Sequence, residues 1–349
     1  MTNYDDKNST SQNLSSKLRS WIIEEQIPHK SGNALLKILR DYGHNSLPKD
    51  IRTLMQTQRK ASQQIEKIDN GSYMIEIHRN RVLYNGKICK VSIAGIVCDA
   101  PARAFITCTK SHSGYFSCHK CTQEGEYVNF VIFPELKFTL RTNESFHTKE
   151  QEEHHTGVSF LEKFGIDMVN QIALDYMHLV CLGIMKRLLL FWIKGSKNIR
   201  LNTEHQKYIC NTLSVVRSSI PSEFARLPRS LSELDRWKAT EFRLFLLYIG
   251  PVILKSTMSN EYYTHFLTLS IAIRILCDSQ LCIKMNNYAH NLLVYFVDNY
   301  KNLYGREYMS YNVHNLLHLA NDVKTLGSLD KFSCFQFENY LRNIRRKVQ

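Results

Sequence analysis

No apolar run in this 349-residue sequence reaches the length of a membrane span without interruption. The greasiest stretch, Tyr176 to Ile193, is broken by Lys186 and Arg187, so no membrane partner is expected. A secretory leader is also lacking, because Met1-Thr-Asn-Tyr-Asp-Asp-Lys-Asn is polar and acidic rather than basic and then apolar. The expectation is a soluble, intracellular chain. Acids are in short supply: 32 Asp plus Glu against 45 Lys plus Arg leave a net charge of +13, which suits a polyanionic partner. Internal repeats are absent. With 44% hydrophobic and 22% charged residues the mixture is that of a globular chain, not a disordered one. Ten cysteines would form a disulfide framework in a short secreted protein; here they are scattered through apolar segments, as buried thiols are. One pair alone, Cys118-His-Lys-Cys121, has the spacing at which a single turn offers two thiolates to one metal ion.

An acid and a distant histidine pair stand in register with those cysteines. The apolar, β-branched run Val91 to Cys98 reads as a buried strand ending in Asp99, with Pro101 placed to open a helix. Asp99 lies 19 residues before Cys118. Near the other end, Tyr311-Asn-Val-His314-Asn-Leu-Leu-His318 puts two histidines at i and i+4 on one helix face, where they can share a metal. Glu338 follows His318 by 20 residues. Taken singly, each part has a plainer reading. Asp99 is also a helix cap, Glu338 a surface acid, His178 a core histidine, and Cys118 with Cys121 a buried thiol pair.

The order Asp99, Cys118-x-x-Cys121, Met177-His178, His314-x-x-x-His318 and Glu338 resembles the CACTA/Mirage/Chapaev group of DDE transposases, a pattern shared with the catalytic core of the V(D)J recombinase. Asp99-Ala-Pro-Ala-Arg-Ala, Leu174-Asp-Tyr-Met-His-Leu-Val-Cys-Leu-Gly, Asp235-Arg-Trp-Lys-Ala-Thr-Glu-Phe-Arg and Asn312-Val-His-Asn-Leu-Leu-His look more closely like transposase-derived proteins of invertebrates. The resemblance implies an RNase H-like core in which three carboxylates hold two Mg²⁺ ions for DNA cleavage and strand transfer. Asp99 would be the second acid and Glu338 the third. Cys118, Cys121, His314 and His318 would hold a structural zinc, and His178 would face substrate phosphate or a neighbouring acid. It also implies DNA as partner and the nucleus as location, and leaves a homodimer open. The family's first acid, in a phrase similar to Asp-Gly-Leu-Pro, has no counterpart. Asp50 precedes a helix and Asp69 sits in the turn-like Asp69-Asn-Gly. The expectation is therefore a transposase-derived DNA-binding protein that has lost its chemistry, the alternative being a zinc-braced interaction protein.

The fold expected is α+β and mostly α, an incomplete RNase H-like core interrupted by a large all-α insertion. Residues 1–13 read as a disordered leader. Residues 14–60 read as short basic helices, equally a DNA-reading helix-turn-helix or a structural bundle. A partial sheet carrying the Cys-x-x-Cys pair occupies 61–125, with Ser72–His78 expected to pair with the strand before Asp99. An irregular loop covers 126–157, its Glu150-Gln-Glu-Glu-His-His155 cluster read as solvated charge. The helical insertion spans 158–310, including Ile172 to Gly195, and the histidine helix and acid-bearing helix fill 311–349. Arg342, Arg345, Arg346 and Lys347 are expected to bind DNA phosphates.

Overall fold

The computed structural model describes residues 14–22, 25, 27, 29–54, 65–68, 72–75, 81–84, 87–90, 92–338 and 340. Arg342, Arg345, Arg346 and Lys347, and the leader 1–13, lie outside these. The chain divides into two units, Met1–Ser92 and Ile93–Gln349, and helices dominate over a few short strands. No described helix is long and apolar enough to cross a membrane.

In the first unit, helix α1 (His29–Asp41) and the short α2 (Ile51–Leu54) gather Ile22, Leu36, Leu47, Ile51 and Leu54 into a small core. Asn33 reaches across to accept the Ile51 N–H through Oδ1 (2.8 Å), and Asp50 Oδ1 accepts from Thr53 N (2.9 Å), so both early N–H groups of α2 are satisfied by side chains. Two antiparallel pairs follow. Strand β1 (Ile65–Ile68) pairs with β2 (Ser72–Ile75), and β3 (Arg81–Tyr84) with β4 (Lys87–Lys90).

The second unit opens with β5 (Ile96–Cys98), whose neighbour corrects one expectation. It pairs in parallel with β8 (Ile172–Leu174), Cys98 opposite Leu174, while Ser72–Ile75 pairs with β1. Ile172, Ala173 and Leu174 are fully buried. A strand buried on both faces reads as a continuous apolar run, and periodicity cannot tell it from a buried helix, which is why this segment was legible only as the start of the helical region. Between β5 and β8 come α3 (Ala100–Thr107), the cysteine turn and a two-residue hairpin of β6 (Glu126–Tyr127) with β7 (Val131–Ile132).

After β8 the chain runs into a π-helix, Met177–Met185, continuous with α4 (Lys186–Lys194). The helices α5 (Thr203–Val216), α6 (Ala239–Leu244), α7 (Asn260–Cys277) and α8 (Asn286–Tyr304) build the main core. Helix α8 shows the logic: Leu293, Phe296, Val297, Tyr300 and Tyr304 recur every three or four residues and are buried against α7 on one side and α9 (Tyr311–Leu326) on the other. Helix α9 is buried on its polar face too, with His314, Asn315, His318 and Asp322 all withdrawn from solvent. Polar groups cost free energy there unless each finds a partner.

Candidate functional site

The partners for that polar face come from the cysteine turn. Cys118 and Cys121 Sγ atoms lie 3.4 Å apart. His314 Nε2 sits 3.2 Å from Cys118 Sγ and 3.3 Å from Cys121 Sγ. His318 Nε2 is 3.6 Å from Cys118 Sγ and 3.2 Å from His314 Nε2. An ion with bonds of about 2.3 Å to sulfur and about 2.0 Å to nitrogen, at tetrahedral angles, separates its ligands by roughly 3.3–3.8 Å. These five separations match those edges to within a few tenths of an ångström, all four ligand atoms lie within 4.8 Å of one another, and all four side chains are buried. Two imidazole Nε2 atoms facing each other at 3.2 Å have room for one proton between them, whereas a cation satisfies both. The arrangement is that of a closed four-ligand metal site.

Electrostatics agree with the geometry. Burial by itself raises the Cys118 thiol, but the Cys121 thiol and the two imidazoles outweigh it and hold Cys118 well below the ordinary thiol range. Burial lowers His318, keeping it neutral and able to ligate. Phe133 stacks on His314 and Phe138 packs on both imidazoles, closing the centre to water. The Gln123 carboxamide lies 2.9 Å from His314 Nδ1 and fixes the ring.

The two residues between the cysteines are buried anchors. Lys120 Nζ donates to Val169 O (2.7 Å), Ile172 O (2.9 Å) and Asp322 Oδ1 (2.6 Å). Asp322, one turn beyond His318, accepts the Leu174 N–H through Oδ2 (2.8 Å). His119 Nε2 donates to Met168 O (2.6 Å), and burial pushes its imidazole far down from the ordinary range. The Arg141 guanidinium donates to the carbonyls of Cys118 and Cys121 and to Gln151. The cysteine turn is thus fastened to β8, to α9 and to the loop carrying Glu150–His155. Glu150, Glu152 and Glu153 of that loop are exposed, but His154 is fully buried, donates from Nδ1 to Phe116 O (2.7 Å), and is pushed down to about 3 by burial.

A second constellation lies at the carboxyl ends of β5 and β8. Asp99 caps α3, accepting Ala102 N–H through Oδ1 (2.8 Å), with Oδ2 making no hydrogen bond among the described residues. Opposite it, directly after β8, stands Asp175, which the sequence reading missed. Its carboxylate accepts four N–H groups: Met177 N (3.3 Å) and Cys334 N (2.9 Å) on Oδ1, His178 N (3.1 Å) and His178 Nδ1 (2.6 Å) on Oδ2. Cys334 opens the helical residues 334–338, so one buried carboxylate both orients His178 and holds the segment that ends in Glu338. With Nδ1 taken, His178 directs Nε2 at Glu338 Oε1, 3.6 Å away. The Asp175 hydrogen bond raises His178 above the ordinary imidazole value, with Glu338 and Asp99 adding to it. Asp175 is lowered despite its burial, because His178 and the Cys334 N–H stabilise its charge. Asp99, Asp175 and His178 border one crevice of about 30 Å³, room for a water or a single ion. Asp175, His178 and Cys334 also lie close enough to share a metal.

Of the residues singled out by sequence, Cys118, Cys121, His314 and His318 form one cluster, Asp99 and His178 border one crevice, and Glu338 lies within 3.6 Å of His178. The signal for Asp175 was present as Asp-x-x-His following an apolar triplet. No family model, curated protein or solved structure matches the chain.

Proposed function

We propose that this chain is a transposase-derived DNA-binding protein, its RNase H-like core braced by Zn²⁺ and its strand-cleaving chemistry lost. The observation that carries the reading is that Asp99 and His178 border one crevice while His178 Nε2 lies 3.6 Å from Glu338 Oε1, in a chain whose four-ligand site is built from the same two remote parts of the sequence. A parallel strand pair with Asp99 at its carboxyl end is the frame that a metal-dependent phosphoryl-transfer centre of this type uses. Zn²⁺ is the ion that fits two thiolates and two imidazoles in a closed tetrahedral site, and its work there is structural. It ties the segment after Asp99 to the helix before Glu338.

Loss of the chemistry is inferred from the carboxylates available among the described residues. Two-metal catalysis needs ligands for two Mg²⁺ ions about 3.5–4 Å apart. In the family the chain resembles, three carboxylates supply them, and Asp99 and Glu338 are only two. Asp175 does not make a third, because its oxygens are already spent on four N–H groups whose release would free His178 and the Glu338 segment together. The excess of basic residues supports DNA as the partner.

The test is a pair of assays on the full chain. Anisotropy with a labelled duplex should show binding that weakens steeply with salt. Incubation of supercoiled plasmid with Mg²⁺ or Mn²⁺ should leave it uncut. Nicking that disappears in Asp99→Ala and Glu338→Ala would overturn the loss of activity. Absence of binding at low salt would overturn the DNA reading and leave a zinc-braced interaction protein.

A further inference from the structure

A cleft of about 270 Å³ lies along the π-helix, bordered by Gly183, Lys186 and Arg187 on one wall and by Tyr300, Ser310 and Asn312 on the other. Its polar side chains make no hydrogen bond among the described residues. The Tyr300 hydroxyl is fully buried and has no hydrogen-bond partner among the described residues. A buried hydroxyl left unpaired costs about 1–3 kcal/mol, so its persistence points to something that pairs with it when bound. Ser310 is the N-cap residue of α9, yet its side chain caps nothing, and no acid occupies the first turn. The N–H groups of that turn, a site of partial positive charge on a 16-residue helix, are left without a side-chain acceptor.

Two cations complete the lining. The Arg187 guanidinium lies over the rings of Phe191 (5.9 Å) and Tyr308 (6.0 Å), which hold it in place without neutralising it. Asp235, whose charge is felt by Lys186, is engaged by Lys194 at 2.9 Å. Gly183 keeps the cleft open, since a Cβ there would collide with Asn312 Nδ2 and come within 3.0 Å of His178 O. Uncapped N–H groups, a hydroxyl, a carboxamide, a phenol and two cations line the cleft, all able to donate, and no carboxylate stands among its lining residues.

We propose that this cleft binds phosphate, and that its occupant is one phosphodiester of a nucleic-acid strand. The choice of a strand over a free anion rests on the DNA-binding reading and on continuity: Asn312 borders both this cleft and the crevice of Asp99 and His178. A phosphate seated here would place its neighbour along the π-helix toward the acids. The volume is below the roughly 300–1,000 Å³ of whole-ligand sites, which fits a sugar-phosphate segment and leaves the bases outside.

Tyr300→Phe and the double variant Lys186→Ala/Arg187→Ala test this in the full chain, with inorganic phosphate and a labelled oligonucleotide as separate probes. Tyr300→Phe removes an unpaired hydroxyl and keeps the ring, so the free protein should melt no lower than wild type while affinity for either probe falls several-fold. The double variant should reduce the slope of log affinity against log salt by about 2 for the oligonucleotide. Phosphate that competes with the oligonucleotide in wild type supports one shared site. Oligonucleotide binding with unchanged affinity and slope in both variants overturns the cleft and leaves the DNA reading standing. Phosphate binding that the variants abolish, in a wild type that binds no oligonucleotide, keeps the cleft and sinks the strand.

Discussion

Replacing Lys120 by Met probes how the cysteine turn is held, because Lys120 ligates nothing and yet touches three elements. Its ammonium, 4% exposed, is bonded to two carbonyls and to Asp322, which is itself fully buried. Lys120→Met keeps the aliphatic stem and removes the charge, leaving the buried Asp322 carboxyl without its ion-pair partner and with the Leu174 N–H as its remaining donor among the described residues. Breaking one partner of a buried pair costs about 3–5 kcal/mol, which at about 2–4 °C per kcal/mol lowers the melting temperature by roughly 6–20 °C. The paired change Lys120→Met/Asp322→Leu removes both charges and should recover much of that loss, since replacing a whole buried pair by apolar groups is often near neutral. Differential scanning fluorimetry of wild type, both single variants and the double variant measures the coupling. Strictly additive shifts, or a fall of under about 2 °C in Lys120→Met, would refute the assignment of Lys120 as the buried anchor of the turn.

Asp175→Asn should lower the pKa of His178, read by NMR titration of the imidazole, and loosen the segment ending in Glu338. The sign for stability follows from the two directions. His178, raised in the fold, contributes stability present below its unfolded pKa and lost as pH rises through its folded value; Asp175, lowered, contributes stability lost as pH falls through its folded value. The pair is therefore worth most between the two, and wild type should lose more stability than Asp175→Asn when pH is raised through the His178 titration. Gly183→Ala should destabilise by about 1–3 kcal/mol in chemical denaturation, the cost of forcing a methyl between the π-helix and Asn312. Gly183→Ala with wild-type stability would mean that this contact gives way freely.

What the sequence made legible was set by chemistry with a fixed spacing. Two thiols three residues apart and two imidazoles four apart can be read as halves of one site before any fold is known, because each spacing belongs to one turn. Asp175 was hidden because its meaning depends on a strand boundary: with Ile172–Leu174 taken as helix, Asp175 is one polar residue in an apolar stretch, and only as the residue after a buried strand does it stand opposite Asp99. His119 and Lys120 were hidden for another reason. Polar residues between metal ligands look like the exposed tip of a turn, and nothing local reveals that Asp322 and the Met168, Val169 and Ile172 carbonyls arrive from distant parts of the chain. Tyr300 could be read only as core, since an unpaired hydroxyl is a property of surroundings.

If Cys118, Cys121, His314 and His318 hold one Zn²⁺ that joins two remote parts of the chain, as proposed, X-ray absorption at the zinc edge of the purified full chain should show it. The expected result is about one zinc per chain, with two sulfur neighbours at about 2.3 Å and two nitrogen neighbours at about 2.0 Å. A chain that purifies without zinc and takes up none, or a shell with no sulfur, would contradict it.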